Sequence, residues 1–200
     1  ITTWKERMAQ KLEGDLTFVP LPFSHPVYVL FSSGTTGKPK GIVHSAGGVL
    51  LQHYKELHLH SNIGPDSIFA YYTTTGWMMW NWLVSGLMTG AKLVLYEGSP
   101  SYPSLERLWR MVENEQITHL GASAKFLATC RSQGLSPKRL FRLDSLVSIF
   151  STGSVLVEED FDWVYSEVKK NLKLQSIAGG TDIVSCFVLG NPISPIYRGE

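Results

Sequence analysis

The feature that most narrows the fold of this chain is a regular exchange between short apolar runs and longer helical patterns, punctuated by glycine and proline. A polar helix over residues 4–12 leads into a connector carrying Pro20, Pro22 and Pro26. Val27, Tyr28, Val29, Leu30 and Phe31 then form a continuous apolar run, the pattern of a parallel strand buried on both faces. A glycine-rich loop follows, then a helix over 44–59. Further strands are expected at 67–72, 92–96, 118–121, 146–150 and 172–177. Helices are expected between them at 77–88 (stopped near Gly90), 104–115, 124–132 with Ser123 as its cap, and 157–171 with Glu158, Glu159 and Asp160 in its first turn. Strand and helix alternating in this way predict an α/β fold, a mostly parallel sheet with helices on both faces. Ligands of such sheets sit beyond the carboxyl ends of the strands.

Composition removes several classes of function. A net charge of +1 argues against a nucleic-acid or membrane-surface partner held by bulk charge. The basic cluster Lys169, Lys170 and Lys173 reads as a solvated helix end. The two cysteines, Cys130 and Cys186, fit neither a disulfide framework nor a zinc site and read as buried thiols in a reducing compartment. Residues 67–91 hold no charge and are long enough to cross a bilayer. They also hold Thr73, Thr74, Thr75, Gly76, Asn81 and Gly90, so a strand and a buried helix are expected there, with no membrane span. Lys5, Glu6 and Arg7 precede any apolar run, unlike a signal peptide. A charged fraction of 18% is low for a free-standing surface and points to faces covered by further chain.

The chemistry lies just after the first strand, in Ser32, Ser33, Gly34, Thr35, Thr36, Gly37, Lys38, Pro39, Lys40 and Gly41. Its glycines allow a tight turn and close approach to a ligand. Its hydroxyls and free amides form a donor surface for phosphate oxygens, and its lysines add positive charge. Only two residues separate Gly34 from Gly37 and Pro39 follows Lys38, so this is not the loop of kinases and GTPases.

This loop resembles the signature of the adenylate-forming superfamily of acyl-CoA synthetases, luciferases and peptide-synthetase adenylation domains. In that family it holds the β- and γ-phosphates of ATP, which implies nucleotide-binding roles for Ser33, Gly34, Thr35, Thr36, Gly37 and Lys40, with Lys40 also catalytic. Lys38 matches a variable position. Gly179, Gly180, Thr181 and Asp182 resemble a second family segment. By that resemblance Gly180 and Thr181 bind nucleotide, Thr181 acts at the α-phosphate, and Asp182 holds Mg²⁺, for which a carboxylate is a suitable hard ligand. Ser151, Thr152, Gly153 and Ser154 resemble the stretch that passes the adenine, which makes Gly153 and Ser154 cofactor-binding candidates. Ala178 stands where the family usually places an aromatic ring against adenine.

Trp77 follows Gly76 as in the acyl pocket of short-chain synthetases, while Trp80 and Trp82 read as packing residues. Gly179 replaces a bulky wall residue of acetyl-CoA synthetases, which implies room for an acid longer than acetate. His44, at the start of the helix after the loop, is a third candidate for the substrate pocket. His53, His58 and His60 read as a solvated helix face.

The wording around these motifs, from His25 and Pro26 to Ile183, is similar to the acetoacetyl-CoA synthetases, a cytosolic family. The resemblance implies that acetoacetate attacks ATP to give an acyl-adenylate and pyrophosphate, and that CoA then displaces AMP. The substrates implied are ATP, acetoacetate and CoA, with Mg²⁺ as cofactor. Residues 1–26 would be a helix and connector, and 27–200 a partial AMP-binding domain. The family's ribose-binding Asp, following Arg and catalytic Lys lie beyond the Gly-Gly-Thr-Asp segment, as does its small mobile domain. The chain alone is therefore expected to be inactive. The competing readings are a propionate- or butyrate-activating synthetase and a non-catalytic nucleotide-binding fragment.

Overall fold

The structure, a computed structural model, describes residues 3–10, 17–32 and 37–200. Helix α1 (Trp4–Ala9) opens with a capping box, in which Thr3 and Glu6 each accept a hydrogen bond from the other's backbone N–H. Strands β1 (Pro26–Ser32) and β2 (Lys40–Ser45) pair antiparallel. Helix α2 (Ala46–Tyr54) packs against this hairpin and continues as a π-helical turn, Lys55–His60. Then come β3 (Ile68–Tyr71), α3 (Met78–Ser85) with a 3₁₀ turn Gly86–Thr89, β4 (Lys92–Val94), α4 (Glu106–Asn114), β5 (His119–Ser123), α5 (Ala124–Ser132) and the single turn α6 (Pro137–Leu140). The chain continues through β6 (Ser148–Thr152), α7 (Glu158–Trp163) with a π turn Val164–Val168, β7 (Lys173–Ser176) and the hairpin of β8 (Ala178–Gly180) and β9 (Ser185–Val188).

Five strands form one parallel sheet in the order β4-β3-β5-β6-β7. The period-2 alternation of strands divides the core between its faces. Ala70, Leu120 and Ile149 join a cluster with Leu108, Trp109, Leu127 and Trp163, whereas Phe69, Tyr71 and Phe150 join Leu57, Trp82 and Leu83. Helices cover both faces, as expected. Ser123 caps α5 by accepting from Phe126 N, and the acidic residues occupy the first turn of α7. Gly90 ends the 3₁₀ turn at φ 80°, a left-handed conformation open to glycine at little cost. The uncharged stretch holds β3 and α3. No helix among the described residues is long and apolar enough to cross a membrane.

The first strand departs from its expectation. β1 belongs to an antiparallel hairpin outside the main sheet, and Val27, Val29, Phe31 and, across from them, Val43 are exposed. A continuous apolar run specifies that both faces want cover, not the direction of pairing. The hairpin of β8 and β9 and the strand β2 were not foreseen, and His44 lies in β2 rather than opening α2. The basic cluster is not simply solvated either. Lys169 donates to the carbonyls of Leu143, Asp144 and Leu146, and Lys173 to that of Ser194. Both ammoniums tie down loops whose carbonyls lack sheet partners.

The histidine expectation fails for an informative reason. Val49, His53, Glu56 and Leu57 form the buried stripe of α2 and its π turn, at the spacing of one helical face. Two polar residues thus occupy core positions. His53 is fully buried, with Nδ1 2.8 Å from Ser85 Oγ and Nε2 2.6 Å from the Val184 carbonyl. His58 is exposed and stacks on Tyr54, and His60 meets the Gly190 carbonyl.

Glu56 is 1% exposed and joins three elements. One carboxylate oxygen accepts from Gln52 Nε2 at 2.9 Å, Ser185 Oγ, Cys186 N at 3.2 Å and Cys186 Sγ at 3.1 Å. The other accepts from Trp82 Nε1 at 2.9 Å. Burial pushes the carboxyl upward, yet the bonds from Ser185, Cys186 and Gln52 together outweigh it and hold the group below its usual range. The stability this anion contributes is therefore present above the ordinary carboxylate range and lost as pH falls through the lowered value. Replacing Glu56→Gln at pH 7 should cost about 1–3 kcal/mol, because an amide cannot accept from all these donors. The deficit should shrink as pH falls below the ordinary carboxylate range, where the wild-type carboxyl takes up its own proton. Urea unfolding followed by Trp fluorescence across pH measures both; equal stability of the two proteins at pH 7 would contradict the clamp.

His119 gives a second pH signature. It is buried at the start of β5, stacked on Phe150, and burial pushes its pKa down to about 4. Between that value and the ordinary 6.5 the unfolded chain binds a proton that the folded chain does not, so stability rises with pH through this window and is complete above it. Acidification from pH 7 to pH 4 should remove on the order of 3 kcal/mol through this residue, and His119→Gln should flatten that part of the profile. An unchanged slope would show that His119 titrates normally.

Candidate functional site

The carboxyl ends of the parallel strands open onto one cleft of about 620 Å³. Its lining includes Tyr71 and Tyr72 at the end of β3, Ser123 at the end of β5, Thr152 at the end of β6 and Ile177 after β7. Sheet order makes the reason plain. From β3 the chain moves to one neighbour, β4, and returns to the other, β5, so the connections diverge at this edge and leave a crevice.

The cleft gathers most of the described candidates. Gly153 and Ser154 line it directly after β6. Gly153 adopts φ 92°, and an ideal Cβ there would meet nothing within 4 Å, so bare backbone faces open space as close approach of a ligand requires. Gly179, Gly180 and Thr181 line the cleft from the hairpin of β8 and β9, and Trp77 lines it from the start of α3. Leu30 and Phe31 of β1 also contribute. Ser33, Gly34, Thr35 and Thr36 lie outside the described residues. Gly37 is exposed with open space around it. Lys40, exposed, pairs with Ser32 at the loop end of the hairpin.

Gly37 and Lys40 do not line the cleft, and neither do His44 and Asp182. His44 lines a smaller cavity behind the hairpin, and its Nε2 lies 3.0 Å from the Thr181 carbonyl. It supports the backbone of the second motif instead of facing the large cleft. Asp182 is exposed, next in sequence to Thr181. Gly179 lines the cleft, but an ideal Cβ on it would overlap the Ser185 carbonyl and lie 2.6 Å from Cys186 Cα. A side chain at this position would strike β9, so the hairpin itself requires the glycine.

The reading of the sequence missed the polar end wall. Glu56, Ser185 and Cys186 line the cleft together with Trp82, whose ring packs edge-on against Phe69, Tyr71 and Phe150. Cys186 is half-buried, unlike Cys130, so the expectation of two buried thiols holds for one. Burial and the adjacent Glu56 carboxylate raise the Cys186 thiol far above its usual range, which keeps it a hydrogen-bond donor. The turn before β9 is strained. Val184 has φ 49°, which a β-branched residue rarely adopts, and His53 holds its carbonyl there. The sequence offered one hint, since Glu56 falls on the helical stripe of Val49 and Leu57. Among the described residues no group of three or more His, Cys, Asp and Glu could hold a metal by itself.

Residues 3–196 match the family model of the AMP-binding enzymes. The chain is 50% identical to the acetoacetyl-CoA synthetase of Gallus gallus over its whole length, covering 29% of that protein. It is 54% identical to the acetoacetyl-coenzyme A synthetase of Rhizobium meliloti (strain 1021) over 94% of the chain and 29% of the relative. The solved acetoacetyl-CoA synthetase from Streptomyces lividans superposes with a TM-score of 0.90 at 42% identity, over 97% of this chain and 30% of that one. The chain thus spans about three tenths of the length of the relatives it matches. With a family match along nearly its whole length, this chain belongs to the AMP-binding enzymes.

Proposed function

We propose that this chain forms the nucleotide- and acyl-binding part of an acid–thiol ligase that converts acetoacetate, ATP and CoA into acetoacetyl-CoA, AMP and pyrophosphate. The observation that carries the reading is a single cleft that joins Gly153, Ser154, Gly180 and Thr181 to Trp77, in a chain half-identical to acetoacetyl-CoA synthetases. The first step brings two anions together, the carboxylate and the α-phosphate, so it depends on positioning and on donors fixed in advance. In this reading the loop from Ser33 to Gly37 holds the outer phosphates, and Lys40 places a cation at its base. The Thr181 hydroxyl donates at the α-phosphate, while His44 fixes the Thr181 carbonyl from behind. Gly153 and Ser154 pass the adenine, and Trp77 borders the acyl group.

The residues present fit Mg²⁺ as family members use it. Asp182 is an exposed carboxylate beside Thr181, and one carboxylate together with nucleotide phosphates is a common setting for this ion. Bound there, it would neutralise phosphate charge. The complete reaction belongs to a protein of the relatives' length, of which this chain spans about three tenths. The reading places that protein in the cytosol, with small-molecule substrates and no nucleic-acid partner.

The test is acid-dependent pyrophosphate release by the full-length protein, with acetoacetate, acetate, propionate and butyrate compared. Preference for acetoacetate is expected. Preference for another acid would keep the adenylation chemistry and discard the substrate. No release with any acid would leave a non-catalytic nucleotide-binding module.

A further inference from the structure

The turn between β8 and β9 runs from Thr181 to Val184 and carries Thr181 and Asp182, the residues that the proposed function places at the α-phosphate and the metal. Its own bonding is weak. The Val184 N–H donates to the Thr181 carbonyl at 3.3 Å, longer than most amide bonds, and Val184 is held at φ 49°. A β-branched residue stays in the left-handed region only where its surroundings fix it there. The turn therefore takes its shape from its neighbours.

Two histidines hold it from opposite ends. His44 Nε2 lies 3.0 Å from the Thr181 carbonyl, and His53 Nε2 lies 2.6 Å from the Val184 carbonyl. Carbonyls only accept, so each imidazole turns an Nε2 proton toward the turn. Both histidines come from one stretch of chain, since β2 runs directly into α2 and the helix packs on the strand. His53 is fully buried, and its other ring nitrogen is engaged with Ser85 Oγ at 2.8 Å. The two donors thus share one base. A single hydrogen bond fixes a distance and leaves the turn free to swivel about it. Two bonds, on its first and last carbonyls, fix its rotation as well. That rotation sets the direction in which the Thr181 side chain leaves the backbone.

Resting on the proposed acyl-activating function, we infer that His44 is a positioning residue, the second point of a clamp whose first point is His53, and that it aims the Thr181 hydroxyl at the α-phosphate. His44 does this without touching the reacting atoms, because it lines the smaller cavity behind the hairpin. Charge builds on the phosphate oxygens during attack, and a donor aimed in advance stabilises it without reorganising. A displacement of about 1 Å in such a group can cost on the order of a hundredfold in rate. The clamp therefore acts on turnover and not on the hold on the acid, which rests against the aromatic side of the cleft.

The test is pyrophosphate release by the full-length protein with acetoacetate, ATP and Mg²⁺, comparing His44→Ala, His44→Gln, Thr181→Ala and the double variant His44→Ala with Thr181→Ala. His44→Ala should lower kcat roughly ten- to hundredfold while KM for acetoacetate stays within about twofold. His44→Gln, whose amide offers a donor close to the Nε2 position, should recover most of that loss. With Thr181→Ala already present, adding His44→Ala should lower kcat by no more than about threefold, because the hydroxyl it aims is gone. An unchanged kcat in His44→Ala, with or without a lower thermal midpoint, overturns the inference and leaves the functional reading standing. Equal losses in His44→Ala and His44→Gln, or losses that multiply in the double variant, overturn it as well. No turnover of acetoacetate by the parent protein overturns the functional reading, and this inference with it.

Discussion

The arrangement of the cleft depends on one buried anion. Glu56 sits on a helical turn that would be apolar in most folds, and donors from α2, α3 and β9 converge on it. A lone buried carboxylate is costly unless its lone pairs are filled. Here neutral donors fill them, so the charge is stabilised without a cation and the donors are ordered in return. The Trp82 ring, the strained turn at Val184 and the start of β9 all take their positions within reach of this group. His53, one turn earlier, repeats the device on a smaller scale by joining Ser85 to the Val184 carbonyl.

The parallel sheet was legible because each strand is a short apolar run bounded by glycine or polar residues, and because α4 between them shows a clear helical period. Ser123 as a cap and Gly90 as a stop were readable from local chemistry alone. What was not legible follows from tertiary competition. The run at Val27 to Phe31 has the composition of a buried strand, but composition carries no information about which strand pairs with it. His53 and Glu56 look like solvent-facing residues to any rule that equates polarity with exposure. Their burial depends on partners 131 and 129 residues away, Val184 and Ser185.

The cleft divides its labour between backbone and side chain. On the side of Gly153 and Gly180 the lining is bare main chain and small hydroxyls, suited to a ligand rich in oxygen. On the side of Tyr71, Trp77 and Trp82 it is aromatic. This division follows from the sheet: the turns after β6 and β7 need glycine to reverse sharply, while the end of β3 is flanked by the apolar start of α3. One topology therefore supplies two kinds of surface within a few residues of each other.

The bond between His44 and the Thr181 carbonyl spans 137 residues of sequence and joins the β1–β2 hairpin to the turn between β8 and β9. His44 is on the strand that begins at Lys40, and Thr181 is on the turn between β8 and β9. The hairpin of β1 and β2 stands outside the main sheet, so it can tilt without breaking a parallel pairing. One imidazole contact thus ties the position of the hairpin to that of the opposite turn.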